Sequence, residues 1–124
     1  MTRRLFRWLP AIGMSIVIIS LSAQPGTIPL PFSFADKVYH FVLYAVYGWT
    51  VLLAMTTIMR TPRHQIIVAI TLALLFAASD EAHQAIVPGR TADALDWCAD
   101  ALGACVGICL TDVIRRYVRT SAHV

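Results

Sequence analysis

The polar residues able to do chemistry fall into four short groups on an otherwise apolar chain. These are Gln24; Asp36, Lys37 and His40; Asp80, Glu81 and Gln84; and Arg90, Asp93, Asp96 and Asp100. Histidine among carboxylates is the composition of an acid–base site: His40 can move a proton, with Asp36 one helical turn away to orient it and Glu81 as a second carboxyl. Carboxylates that converge can instead hold a divalent cation. Glu81, Asp96 and Asp100 are the expected ligands, an oxygen-rich set that favours Mg²⁺, Mn²⁺ or Ca²⁺ over zinc. Lys37 and Arg90 supply positive charge for a phosphate, Arg90 through paired bonds, while the carboxylates and Gln84 suit hydroxyls or amides. No serine or cysteine nucleophile motif accompanies them. Cys98, Cys105 and Cys109 share one apolar stretch without a Cys-x-x-Cys pair and read as packing residues.

Groups so far apart in sequence form a site only if the elements carrying them meet. The chain has 124 residues, 58% hydrophobic and 14% charged, with a mean hydropathy of +0.69. Soluble chains are roughly 45–50% apolar and about 25% charged. A soluble domain this small has more surface than ten basic and seven acidic side chains can cover. The apolar content excludes disorder, and single copies of Lys and Glu exclude a coiled coil. Stretches free of formal charge at 8–23, 38–59 and 64–79, and a fourth at 97–111 broken only by Asp100, read as membrane helices, without the alternation of a barrel. The expected fold is all-α, a four-helix transmembrane bundle forming one domain over 1–124, with helices near 4–23, 36–59, 63–86 and 92–116. A leader peptide is the weaker reading of the first stretch, because Leu21 suits the third position before a cut poorly.

Basic residues give the orientation. Arg3, Arg4 and Arg7 precede the first helix, Arg60 and Arg63 follow the second, and Arg115, Arg116 and Arg119 end the fourth; Lys37 and Arg90 lie on the other side. The positive-inside rule places both termini in the cytoplasm. Counted from the arginines at about 1.5 Å per residue, Glu81 stands ~27 Å, His40 ~30 Å, Asp96 ~28 Å and Asp100 ~22 Å above the inner boundary. Ionisable side chains from three helices thus reach nearly one depth, beneath the outer headgroups.

Helical spacing says which way they face. Asp93, Asp96, Asp100, Gly103 and Gly107 share one face of the fourth helix, and Gly103-x-x-x-Gly107 is a seam for close helix approach, within one chain or between two copies. Asp36, His40, Tyr44 and Tyr47 form a matching stripe on the second helix. Asp80 and Glu81 are about 100° apart, so at most one is expected to point fully inward. Ser33 with Asp36 reads as the start of the second helix, and Thr91 as the cap of the fourth with Asp93 in its first turn. The prolines at 25, 29 and 31 keep the first outer loop from being helical. Asp112 has Arg115 and Arg116 within one turn. Tyr39, Trp49 and Trp97 read as core or interface aromatics.

The ordered set Ser22-x-Gln24, Asp36-Lys37-x-x-His40-Phe41, Asp80-Glu81-x-x-Gln84, Gly89-Arg90-x-x-Asp93-x-x-Asp96 and Gly103 resembles the VanZ-like family of small bacterial membrane proteins. The match runs from the end of the first helix into the fourth. Asp100 departs from it, since the pattern usually has Asn there. The extra potential charge favours a shared proton or a bound cation over an amide hydrogen bond. The resemblance implies a multi-pass protein of the bacterial cytoplasmic membrane, linked to the cell envelope and to teicoplanin-type glycopeptide resistance, but no particular chemistry.

Three readings follow. The first is a non-enzymatic envelope protein whose outward pocket binds a phosphorylated lipid or glycan precursor. The second is a metal-dependent enzyme acting on a lipid-linked phosphate. The third is a structural polar network, with Arg90 pinning Asp93 or Asp96, although six carboxylates exceed what such a task needs. The expected partner is a membrane lipid or envelope precursor, with a homo-oligomer through Gly103 and Gly107 as a further option. Nucleic acid is not a partner, because the basic residues are dispersed as orientation signals.

Overall fold

A computed structural model describes residues 5–25 and 34–122. It holds four helices: α1 (Leu9–Ser22), α2 (Ala35–Met55), α3 (Pro62–Gln84) and α4 (Ala94–Ser121). The all-helical bundle expected from composition is what forms. α2, α3 and α4 are each long and apolar enough to cross a membrane, whereas α1 has 14 residues. At ~1.5 Å per residue α1 covers about 21 Å, less than the ~30 Å hydrocarbon core.

Local sequence explains where the helices start and stop. Pro10 lies in the first turn of α1 and Pro62 in that of α3, positions where a missing N–H costs nothing. α2 ends at Met55, four residues short of the expected boundary. There the hydroxyls of Thr56 and Thr57 donate to the carbonyls of Leu53 and Ala54, and tight backbone turns follow. Phe34 flanks the start of α2 without a side-chain cap; Ser33 and most of the proline-containing loop lie outside the described residues, as do Arg3 and Arg4. α4 runs on to Ser121, since no Gly or Pro follows Gly107 and Arg116 donates to Asp112 one turn back at 2.6 Å.

Small residues set the packing. α2 and α4 share the largest interface. A side chain added at Gly103 would overlap the backbone of Phe41, one at Gly107 that of Ala45, and one at Gly48 that of Ala104. The glycine seam is therefore filled within this chain, the first of the two arrangements its spacing allowed. Ala69, Ala73 and Ala77 form a fully buried stripe on α3 that lets the other helices close around it. Tyr44, Tyr47 and Phe76 stack at the centre, with Tyr47 and Phe76 ring centroids 4.8 Å apart. The outer surface is apolar, with Ile16, Leu75, Leu102 and Leu110 among many exposed aliphatic side chains. Cys98 and Cys109 lie exposed on that surface, not packed inside, and Tyr39, Trp49 and Trp97 also face outward.

Candidate functional site

α2, α3 and α4 bring their polar ends together, while Arg7 and Arg115 lie at the opposite end. At the basic end Arg7 donates to the Thr56 hydroxyl at 3.4 Å and Arg115 to Gln65 at 3.2 Å. At the polar end the stripe predicted for α2 points inward as expected: Tyr44 and Tyr47 are buried and His40 is mostly so. On α4, Asp96, Asp100, Gly103 and Gly107 are buried along one face.

Asp100 is the deepest of these groups, 0% exposed. Its Oδ1 accepts from Nδ1 of His40 at 2.9 Å. An ionised carboxylate only accepts, so with Asp100 ionised the proton shared in this bond is the one on Nδ1. Asp36 was expected to orient the imidazole, but its nearest oxygen is 3.9 Å from Nε2, beyond hydrogen-bond range. Asp100, on a different helix, is the orienting group. Sequence spacing favoured Asp36 because local i, i+4 pairs are visible in a sequence and interhelical ones are not.

The N-terminus of α4 is tied to α2 and α3. The Lys37 ammonium lies 2.7 Å from Asp93, 2.6 Å from Asp96 and 3.8 Å from Asp36. Asp93, not Thr91, caps α4, accepting from the Leu95 N–H at 2.8 Å. Its own N–H donates to Glu81 at 3.0 Å. The hydrogen bond from Lys37, aided by the Leu95 N–H, holds the Asp93 carboxyl below the usual carboxylate range. Lys37, expected to meet phosphate, is thus already surrounded by carboxylates.

Arg90 is placed differently. It donates to the Gln84 side-chain oxygen at 2.6 Å and to the Gln24 backbone carbonyl at 3.2 Å. Neither acceptor carries charge, and among the described residues no carboxylate lies within ion-pair distance of Arg90. The expected pin on Asp93 or Asp96 does not form, because Lys37 has taken both. Gln84 also donates to Asp80 at 3.3 Å and reaches the Ser22 hydroxyl at 3.5 Å. Asp80 and Glu81 are both buried, contrary to the expectation that only one could be. α3 has neighbours on both sides: Asp80 turns toward Gln84 and the cavity, Glu81 toward the start of α4.

These groups line a cavity of about 780 Å³ between α1, α2, α3 and the loop before α4. Its wall is amphipathic. Asp36, His40, Asp80, Gln84, Arg90, Asp93 and Asp96 line it together with Ile18, Leu21, Val42 and Leu43. Gln24 also lines it. Glu81 and Asp100 do not line it directly, and of the expected metal trio Asp96 separates from the other two. The groups close enough to share an ion are His40, Glu81 and Asp100, or Asp36, His40 and Asp96. Ser22, Tyr44 and Asp80 are cavity residues to which the sequence reading gave no ligand-binding or catalytic role. Their signal was present: Ser22 ends an apolar run, and Tyr44 lies one turn below His40.

Fold and site together define a small membrane-embedded helical bundle with a polar cavity at one end. A family model described as VanZ/LLP1 matches residues 3–115, and the chain belongs to the VanZ/LLP1 family. No curated protein and no solved structure matches it.

Proposed function

We propose that this protein is a multi-pass component of the bacterial cytoplasmic membrane that binds the anionic headgroup of an amphiphile in its polar cavity. Both termini are cytoplasmic in this reading and the cavity faces outward, as the arginines concentrated at one end support. The observation that carries it is Arg90: a half-buried guanidinium held on neutral oxygens at the mouth of a cavity, with its charge uncompensated. A phosphate or phosphate ester supplies the missing charge, and Arg suits it by its planar fork of donors. The aliphatic residues that share the lining, Ile18, Leu21, Val42 and Leu43, suit the acyl or polyprenyl part of the same molecule. The volume falls within the ~300–1,000 Å³ of ordinary ligand sites. A phosphorylated lipid or a lipid-linked envelope precursor fits this chemistry. Any effect on teicoplanin-type susceptibility follows from holding such a precursor at the outer leaflet and changing how much is displayed.

The test is native mass spectrometry of the detergent-solubilised protein titrated with phosphatidylglycerol and, in parallel, phosphatidylcholine. Arg90→Ala is expected to weaken phosphatidylglycerol retention about tenfold, the loss of roughly one charge-assisted hydrogen bond. Arg90→Lys retains part of it. Equal retention by the wild type and Arg90→Ala rejects the reading. A turned-over lipid product favours instead the metal-dependent enzyme, for which His40 on Asp100 offers an oriented acid–base group.

A further inference from the structure

Lys37 sets three of the six carboxylates at the polar end apart from Asp80, Glu81 and Asp100. Asp93 and Asp96 lie on its ammonium and Asp36 nearby, which satisfies the groups closest to the surface. Beneath them, Glu81 and Asp100 have no lysine or arginine within ion-pair distance among the described residues. Both are more than nine-tenths buried, and Glu81 Oε1 and Asp100 Oδ2 have no hydrogen-bond partner. Unpartnered carboxylate oxygens at that depth are costly, and burying them calls for a proton or a cation. His40, Glu81 and Asp100 each offer one ligand atom, all within 4.8 Å of one another. A tetrahedral centre with bonds of about 2.1 Å keeps its ligand atoms about 3.4 Å apart, so modest side-chain rotation closes the set on an ion.

We infer that His40, Glu81 and Asp100 form a binding site for a divalent transition metal, Zn²⁺ or Mn²⁺, that clamps α2, α3 and α4 together beneath the cavity. The imidazole ligand selects these ions over Mg²⁺ and Ca²⁺, which take oxygen almost exclusively. The alternative trio of Asp36, His40 and Asp96 is the poorer site, because an ammonium already lies 2.6 Å from Asp96 and repels a second cation. Of the three ligands only His40 lines the cavity, so the ion sits behind the wall, within reach of a ligand only on the imidazole side. The site shares no residue with the Arg90 contacts, so the two assignments stand or fall separately.

The test uses the full chain, treated with chelator in detergent and then titrated with Zn²⁺, Mn²⁺, Mg²⁺ or Ca²⁺ by calorimetry and thermal unfolding. One equivalent of Zn²⁺ or Mn²⁺ is expected to bind and raise the unfolding temperature, with Mg²⁺ and Ca²⁺ weaker. Asp100→Asn and Glu81→Gln, which keep side-chain volume, are each expected to weaken binding at least about tenfold. Cys98→Ser, Cys105→Ser and Cys109→Ser together are expected to leave it unchanged, which excludes thiol capture. If a ligand variant fails to fold, Mn²⁺ paramagnetic broadening of the His40 ring signals in the wild type decides the matter. Absence of saturable binding, binding that survives both carboxamide variants, or broadening confined to other histidines overturns the site.

Discussion

His40 illustrates how little of a residue's role its sequence neighbours fix. Asp36, one turn away, was the visible partner, yet the bond is made to Asp100, 60 positions on. Lys37 is the other decisive residue, because one ammonium serves Asp93 and Asp96 and so frees Arg90. Replacing it by Met leaves Asp96, with a side chain 7% exposed, unpaired. Lys37→Met is expected to lower stability by roughly 2–3 kcal/mol, below the full cost of breaking a buried pair because Lys37 keeps some exposure. Chemical denaturation in mixed micelles measures it; an unchanged midpoint refutes the role given to Lys37. Asp93 makes a pH-dependent contribution. Its carboxyl is held below its ordinary range by Lys37 and by the cap bond, so folding favours the ionised form. The stabilisation is complete above the ordinary carboxylate value, near pH 4, and is lost as pH falls through the lower folded value. Hydrogen exchange at the first turn of α4 should accelerate on that acid side in the wild type, and Asp93→Asn should flatten the dependence. The same acid response in both would remove Asp93 as its source.

Elements were the most legible scale. Charge-free runs placed all four helices, because apolar length acts locally. The ends were less legible: α2 stops early where Thr56 and Thr57 bond back to their own turn, and α4 continues because nothing breaks it. The glycine seam was visible as spacing, but spacing does not say which helix fills it; only the contacts with Phe41 and Ala45 do. Gly107→Ala is expected to force α4 off α2 and cost about 1–3 kcal/mol, as overpacked interiors do. Gly13→Ala, with nothing within 4 Å of the added methyl, should be neutral or stabilising by up to about 1 kcal/mol. Thermal unfolding of the pair checks both, and similar effects from the two substitutions would deny the seam its part in the bundle.

The whole molecule has a basic end and a polar end, and the account depends on how the second is assembled. Its existence was readable from the arginines and from counting residues to a common depth, since both follow from the membrane's fixed thickness. The pairing within it was not readable: six carboxylates, two cations and two histidines can be matched in many ways, and only the rotations and tilts of packed helices choose among them. The proposed orientation rests on the same asymmetry. In a background without the native cysteines, Thr91→Cys is expected to react with an impermeant thiol reagent from outside intact cells and Thr61→Cys only after permeabilisation, whereas the reverse pattern inverts the topology. The central claim is that α2 and α4 bury His40 against Asp100. Solid-state NMR in lipid bilayers, with ¹⁵N-histidine and ¹³C-labelled aspartate carboxyls, measures that contact directly. A hydrogen-bonded pair places the ring nitrogen within about 4 Å of the carboxyl carbon, and the account predicts strong dipolar dephasing that disappears in both His40→Gln and Asp100→Asn. No dephasing at His40, or dephasing that persists in Asp100→Asn, contradicts it.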